Sequence, residues 1–246
     1  GGNMVPNIIQ NYIVSPNEIK KETPFIENNI KLTRDSYQLD RVNTHEFPAN
    51  RSLTAADIEE NPTTVKNIRL WNQEPLKLTF GQLQEIRLYY EFANIDVDRY
   101  MVDGAMQQVM LSPREMDVSQ LTSKAQTWTN RHLVYTHGYG VCMSPVNELT
   151  KEGLPKFYIK DLPPVSSSGL PPVTRPEIYF GEKTVDYVVV NSEEDEFDYP
   201  SGDENVYTHY SGRGGIKLDT LFKKFVLSLK FSDIKLLVSS LINSDS

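Results

Sequence analysis

One cysteine, Cys142, stands in a chain of 246 residues. A single thiol closes no disulfide within the chain, and a cysteine-based zinc site would have to borrow its other ligands. Redox compartment stays open on this count. Long apolar runs are missing too. None approaches the roughly 18 residues that a membrane-spanning helix needs, and the Gly1-Gly2 start lacks the shape of a signal peptide. The piece is therefore expected to be soluble as it stands, and a chain opening on Gly1 rather than Met reads as a fragment. Basic clusters are absent: 25 Lys and Arg face 33 Asp and Glu, for a net charge of -8. That balance lacks the electrostatic footprint of phosphate-backbone binding and excludes nucleic acid as a partner. The same reasoning counts against anionic lipid surfaces. Catalytic signatures are missing as well, with no Gly-x-Ser-x-Gly elbow, Ser-x-x-Lys pair, phosphate loop, dinucleotide fingerprint or zincin helix. No repeats or low-complexity tracts occur.

Hydrophobic residues at 39% and aromatics at 10% give enough apolar surface for a packed core. The length fits one large domain or two small ones. Ser15-Pro16-Asn17-Glu18 is a capping box that predicts a helix, and Pro24 either kinks that helix or begins another. Thr54 to Asp57 and Asn61-Pro62 are further helix starts, and Thr79 to Tyr89 can form another helix. From Asn94 the period changes to two, and Asp103-Gly104 is the dipeptide of a two-residue hairpin turn. A helix is expected over 121–133, then strands near 138–143, 156–160, 177–180 and 186–191. The fold class is α+β: a helical lead-in over 1–70, then a body over 71–246 built on an antiparallel sheet with hairpins. The proline-rich segment Pro163 to Pro176 is a candidate internal linker. Leu218, Leu221, Phe222, Phe225, Val226 and Leu229 recur at helical spacing, so an amphipathic helix near the C-terminus follows. Packing within the fold is the plain reading of that stripe, with docking to a membrane or to missing sequence as the alternative.

The densest chemistry lies in RHLVYTHGYGVCMSPVN, Arg131 to Asn147. His132, His137 and Cys142 stand five apart, a spacing that matches neither a metal nor a nucleophile template. Within this segment His137 is the preferred candidate because glycines flank it and free its backbone, with Tyr135, Tyr139 and Asn147 as binding candidates beside it. A carboxylate such as Glu148 or Asp161 is the partner that general acid–base work at His137 would require. The acidic run Glu193 to Glu204 reads as a solvated loop. Its alternative is a weak calcium site, of roughly millimolar affinity, using Glu193, Glu194, Asp195, Asp198, Asp203 and Glu204. Phe197 and Tyr199 inside the run suggest partial docking. Asn94, Asp96 and Asp98 fit a solvated strand face, and Ser211 to Gly215 a flexible turn.

Several long strings in fixed order carry a resemblance: SPNEIKKETPFIENNIKLTRDSY, NIRLWNQEPL, QLQEIRLYYEF, IDVDRYMVDGAMQQVMLSPREM, TWTNRHLVYTHGYGVCMSPVNELTKEGLPKFYIKDLPP, TRPEIYFGE and EFDYPSGDENVYTHYSGRGGIKL. They resemble uncharacterised protein family 0182, and the match covers nearly the whole chain. The resemblance implies a large bacterial multi-pass membrane protein whose extracytoplasmic soluble region this chain represents, with further sequence beyond Ser246. Its implied partners are its own membrane region, the missing C-terminal sequence and another envelope protein. It brings no cofactor and no catalytic set. The functional expectation is an interaction or assembly module; the alternatives are an envelope-acting hydrolase using His137 and a calcium-binding module.

Overall fold

The structure, a computed structural model, describes residues 4–46, 52–167 and 169–246. The expected features at Gly1-Gly2 and at Ser168 lie outside the described residues. The chain divides into two compact units, Gly1–Thr54 and Ala55–Ser246.

In the first unit, α1 (Met4–Ile9) runs into a π-helical turn at Gln10–Val14 and a 3-10 turn at Ser15–Asn17, from which α2 (Glu18–Ser36) departs. Pro16 sits at the start of the 3-10 turn, and the residue at the N-cap of α2 is Asn17 rather than the expected Ser15, without a side-chain cap. Pro24 lies inside α2 without ending it. Proline offers no N–H to the preceding turn, and there the Thr23 hydroxyl donates to the Ile19 carbonyl at 2.5 Å. None of the described side chains of this unit is buried, and α2 presents Phe25, Ile26 and Ile30 to solvent.

The second unit opens with α3 (Ala55–Glu60) and α4 (Pro62–Lys66), where Pro62 occupies the first helical position that suits its fixed φ. The next helix, α5, spans Gln73–Gln84 rather than 79–89. It starts early because Pro75 is tolerated in a first turn, and the chain leaves helical geometry at Ile86, whose φ is +67°. Two short strands, β1 (Tyr90–Glu91) and β4 (Glu115–Met116), pair with each other. Between them, β2 (Asp96–Val102) and β3 (Ala105–Pro113) form the expected hairpin. Val102 faces Ala105 across Asp103 and Gly104, both at positive φ (50° and 78°), as the twist-compatible turn of a two-residue hairpin demands. Asp96 and Asp98 lie exposed on it.

β3 also pairs with β6 (Val141–Pro145), which leads to β7 (Ile159–Lys160) and β8 (Val165–Ser166), giving a five-stranded antiparallel sheet in the order β2-β3-β6-β7-β8. Segment 163–176 thus contributes an edge strand, the sheet position that tolerates neighbouring prolines. Alternation along β3 and β6 sends Met110 and Cys142 to one face and Val109 and Met143 to the other. The first face packs with Leu76 and Phe80 of α5 and with Phe92, Ile95 and Val146; the second packs with Val102, Tyr158 and Ile159.

Two expected elements are shorter or missing. Over 121–133 only one π-helical turn forms, Asn130–Val134. Before it, the Gln126 side chain donates to the Ser119 and Leu121 carbonyls and ties that stretch into turns. Segment 186–191 joins no ladder: its Val189 N–H goes to the His132 carbonyl at 2.8 Å, and it ends on Asn191 at φ +53°. The expected strand over 138–143 is split by Gly140, at φ +79°, into β5 (Gly138–Tyr139), which pairs with β9 (Glu177–Ile178), and β6. Finally the acidic run forms a hairpin, β10 (Glu196–Ser201) with β11 (Glu204–Thr208), and the chain continues into α6 (Leu221–Phe231) and α7 (Lys235–Val238).

Candidate functional site

His137 sits where the π-helical turn hands over to β5, and it is 1% exposed. Its partners come from neither Glu148 nor Asp161. Glu148 is engaged by Lys156 Nζ (2.7 Å), Tyr158 OH (2.9 Å) and Gln107 Nε2 (3.1 Å), while Asp161 takes part with Gln84. The carboxylates beside His137 belong to β10: Asp198 Oδ1 lies 2.9 Å from Nε2, and Glu196 Oε2 lies 3.8 Å from Nδ1.

The delivery of both carboxylates has a local cause. Glu196 pairs with Thr208 and Phe197 with Tyr207, but the next pair is Tyr199 with Val206, so Asp198 is the extra residue of a β-bulge. A bulge breaks the in-out alternation of a strand. Glu196, Phe197 and Asp198 are therefore all buried in succession, although the five other acidic residues of the run are exposed or half-exposed.

Glu196, with no exposed surface, is saturated with donors. Oε2 accepts from the hydroxyls of Thr136 and Tyr179, both at 2.8 Å, and Oε1 from the backbone N–H groups of Tyr210 (3.0 Å) and Asn191 (3.2 Å). Because Thr136 gives its one hydroxyl proton to Glu196, its oxygen accepts from His137 Nδ1 at 2.9 Å. The Tyr179 ring lies against the imidazole, centroids 4.6 Å apart. Burial first, then the charge of Glu196, raises the Tyr179 hydroxyl far above the ordinary phenol range, so it serves as a neutral donor. Tyr90, also raised chiefly by burial, donates to the Asp198 carbonyl at 2.9 Å.

Of the other candidates, Tyr135 stands beside this network, edge-on to Tyr89 and tilted against Phe197, and Tyr139 lies against Tyr199 at 4.7 Å. Burial raises both hydroxyls. Asn147 is elsewhere: its amide donates to the Lys66 carbonyl, tying the end of β6 to α4. His132 is stacked on Tyr187 (4.3 Å) and bonded through Nδ1 to that residue's carbonyl, so His132, His137 and Cys142 do not converge. Cys142 instead meets Arg114. That guanidinium is fully buried, and its acceptors are all neutral: the Gln84 carbonyl (2.8 Å), the Tyr139 carbonyl (3.0 Å), Gln84 Oε1 and Cys142 Sγ (both 3.4 Å). Burial pulls Arg114 below the usual arginine range and pushes the Cys142 thiol up to about 12.

The structure also disperses the calcium candidates. Asp198 faces His137, Asp195 pairs with exposed His209 at 3.2 Å, Glu193 accepts from Asn243, the Glu194 N–H goes to Ser192, and Asp203 and Glu204 mark the exposed hairpin turn. Among the described residues no three His, Cys, Asp or Glu side chains gather closely enough to hold a metal ion. A cleft of about 190 Å³ reaches His137 from the outside, lined by Glu115, Asp117, Arg131, Tyr135 and Lys183. Its charges are mostly engaged already: Lys183 with Glu91, Asp117 with Ser119, Glu115 with the N–H groups of Glu182 and Lys183. The arrangement engages both ring nitrogens of His137 and ties Thr136 and His137 to β10 and to Tyr179.

Glu196, Thr136, Tyr179 and Arg114 were not among the sequence candidates. The one readable signal for Glu196 was the aromatic pair Phe197 and Tyr199 next to it, which marks the run as docked; Phe197 is 1% exposed.

Comparison with known proteins places the chain. It is 51% identical over 245 residues to a UPF0182 protein of Desulforamulus reducens and 51% identical to one of Pelotomaculum thermopropionicum, in both cases across the whole of this chain. A UPF0182 protein of Trichodesmium erythraeum is 49% identical over 243 residues, 99% of this chain. The chain spans only 26%, 27% and 26% of those relatives' lengths. No solved structure matches it. Residues 1–246 match throughout the family described as Uncharacterised protein family (UPF0182), and the chain belongs to that family.

Proposed function

We propose that this chain is a non-catalytic docking domain, the extracytoplasmic portion of a larger bacterial multi-pass membrane protein, serving its assembly or its contact with another envelope component. The observation that carries the reading is the orientation of α6. Its apolar stripe points away from the fold: Leu221 is 75% exposed, Phe222 73% and Leu229 64%. The helix reaches the core with Leu227 and buried Ser228, which pack toward Leu218, Leu236 and Ile242. An exposed apolar face of this kind marks an interaction surface. The short coverage of the relatives supports the same reading, since most of their length lies outside this region. Among the described residues no helix is long and apolar enough to cross a membrane, so the membrane attachment in this proposal belongs to the rest of the parent protein.

The test is affinity purification of the complete protein from its native membrane, wild type against F222D/F225D. Loss of co-purifying components, or of the parent's own assembly, is expected in the variant. An unchanged profile overturns the proposal.

One observation favours a second reading: the cleft ending on His137. In that reading His137 acts as a general base on an envelope component. The variant H137Q would then lose function while keeping the wild-type melting temperature, whereas a lock role makes the melting temperature fall.

A further inference from the structure

We infer that the outward face of α6 lies on a bilayer surface containing anionic lipid. The inference rests on the docking reading above and names its partner. At 100° per residue, Leu221, Phe222, Phe225, Val226 and Leu229 occupy about 140° of the helix circumference, opposite the arc of Lys224, Leu227 and Ser228 that meets the fold. All five outward residues are exposed. Lys223 and Lys230 fall at one border of that arc, where a lysine stem can lie along apolar surface while its ammonium reaches the headgroup level. Lys223 is also within 2.6 Å of Asp219, in an exposed pair that solvent screens.

Charge complementarity selects the occupant. Residues 217–238 hold five lysines (217, 223, 224, 230 and 235) against two aspartates (219 and 233); Lys224 turns to the fold, donating to the Ile242 carbonyl, and Lys217 lies near Asp245, so Lys223, Lys230 and Lys235 carry the local excess, in a chain where acidic residues outnumber basic ones 33 to 25. Chain-wide charge argues against anionic lipid only as an average, and the sign is reversed where the apolar face lies. Aromatic and leucine side chains on one side with lysines at the edge are the composition of helices that lie in the interface plane. A second copy of the chain would set the same lysine-edged face against itself, which like-charge repulsion disfavours.

The probe is vesicles of phosphatidylcholine with and without phosphatidylglycerol, co-sedimented with the 246-residue chain. Binding to the phosphatidylglycerol vesicles is expected, weakened by salt, and reduced about tenfold or more in F222S/F225S and clearly in K223E/K230E. The replaced side chains are exposed or half-exposed, so melting temperatures near wild type should certify both folds. No binding, or binding that F222S/F225S leaves unchanged, overturns the inference. So does concentration-dependent self-association abolished by F222S/F225S in the absence of vesicle binding, which would make a second copy the occupant. If vesicle binding fails but the full-length F222D/F225D protein loses its assembly, the lipid inference falls and the docking reading stands; if that variant assembles normally, both fall.

Discussion

The tightest constraints in this molecule act on single atoms. A Cβ added at Gly138 would lie 2.3 Å from the Arg114 carbonyl oxygen and 2.7 Å from the Glu115 Cα, both backbone atoms that cannot swing aside. G138A should therefore cost about 1–3 kcal/mol of overpacking strain, read from urea unfolding. G153A is the control: its site has no atom within 4 Å, and only its positive φ resists the change. An equal loss in the two variants would show that close approach is not the constraint at Gly138. His137 sets a second expectation. Removing its imidazole leaves buried Asp198 without its hydrogen-bond partner, and an unsatisfied buried polar group costs about 1–3 kcal/mol. H137A should show that loss as a lower denaturation midpoint; wild-type stability would contradict the lock. Cys142, with its thiol raised to about 12 by burial, should resist a thiol reagent at neutral pH in the folded chain and react fully once unfolded. Sequence reading singled out His137 through its glycine neighbours, but the residues around it were invisible: Asp198 is 61 residues away, and nothing local says that a bulge will turn it inward.

Elements were legible where the signal is local and periodic. The β2–β3 hairpin combined a two-residue period with Asp103-Gly104, and α6 showed unbroken helical spacing of apolar residues. Periodicity reports that a helix has an apolar face but not which side the fold will use, so the outward setting of α6 was beyond it. The acidic run failed differently. Charge density predicts hydration of isolated carboxylates, whereas four donors converge on Glu196 from residues 136, 179, 191 and 210, scattered along the chain. Acid sensitivity belongs to this scale, because paired carboxylates join elements. Burial by itself would raise Asp233, but hydrogen bonds from Tyr187 OH (2.6 Å), the Lys235 N–H (2.9 Å) and Trp128 Nε1 (2.8 Å) outweigh it and hold Asp233 low. A carboxylate whose folded pKa is depressed adds stability that is fully present above its unfolded value, about 4, and is lost as pH falls through the folded value. D233N should accordingly be less stable than wild type at pH 7, with the gap closing below the carboxylate range. A gap that is constant from pH 7 to pH 3 would show the loss to be packing rather than charge.

At the scale of the molecule, the two units differ in kind. Gly1–Thr54 has no buried side chain among its described residues, while Ala55–Ser246 holds all four hydrophobic clusters. Residues 55–246 expressed alone should therefore unfold in one transition, within about 5 °C of the 246-residue chain. A much lower or broadened transition would show that the first unit supports the core. The sequence suggested a helical lead-in ending near residue 70; the compact division falls at Thr54, because α4 and the segment after it bond into the body through the Leu70 and Trp71 N–H groups on the Val146 carbonyl.

The skipped residue in β10 has one more implication. Because Phe197 and Tyr199 already occupy consecutive rungs against Tyr207 and Val206, excising Asp198 would leave every rung of that ladder with its present partner. The hairpin's parity would be restored, and what is deleted is the acid that faces His137 together with the carbonyl that accepts from Tyr90. Scaffold and cargo are thus written in separate letters: a one-residue deletion, ordinarily the harshest edit a strand can suffer, is here the mildest way to silence the imidazole while sparing the sheet.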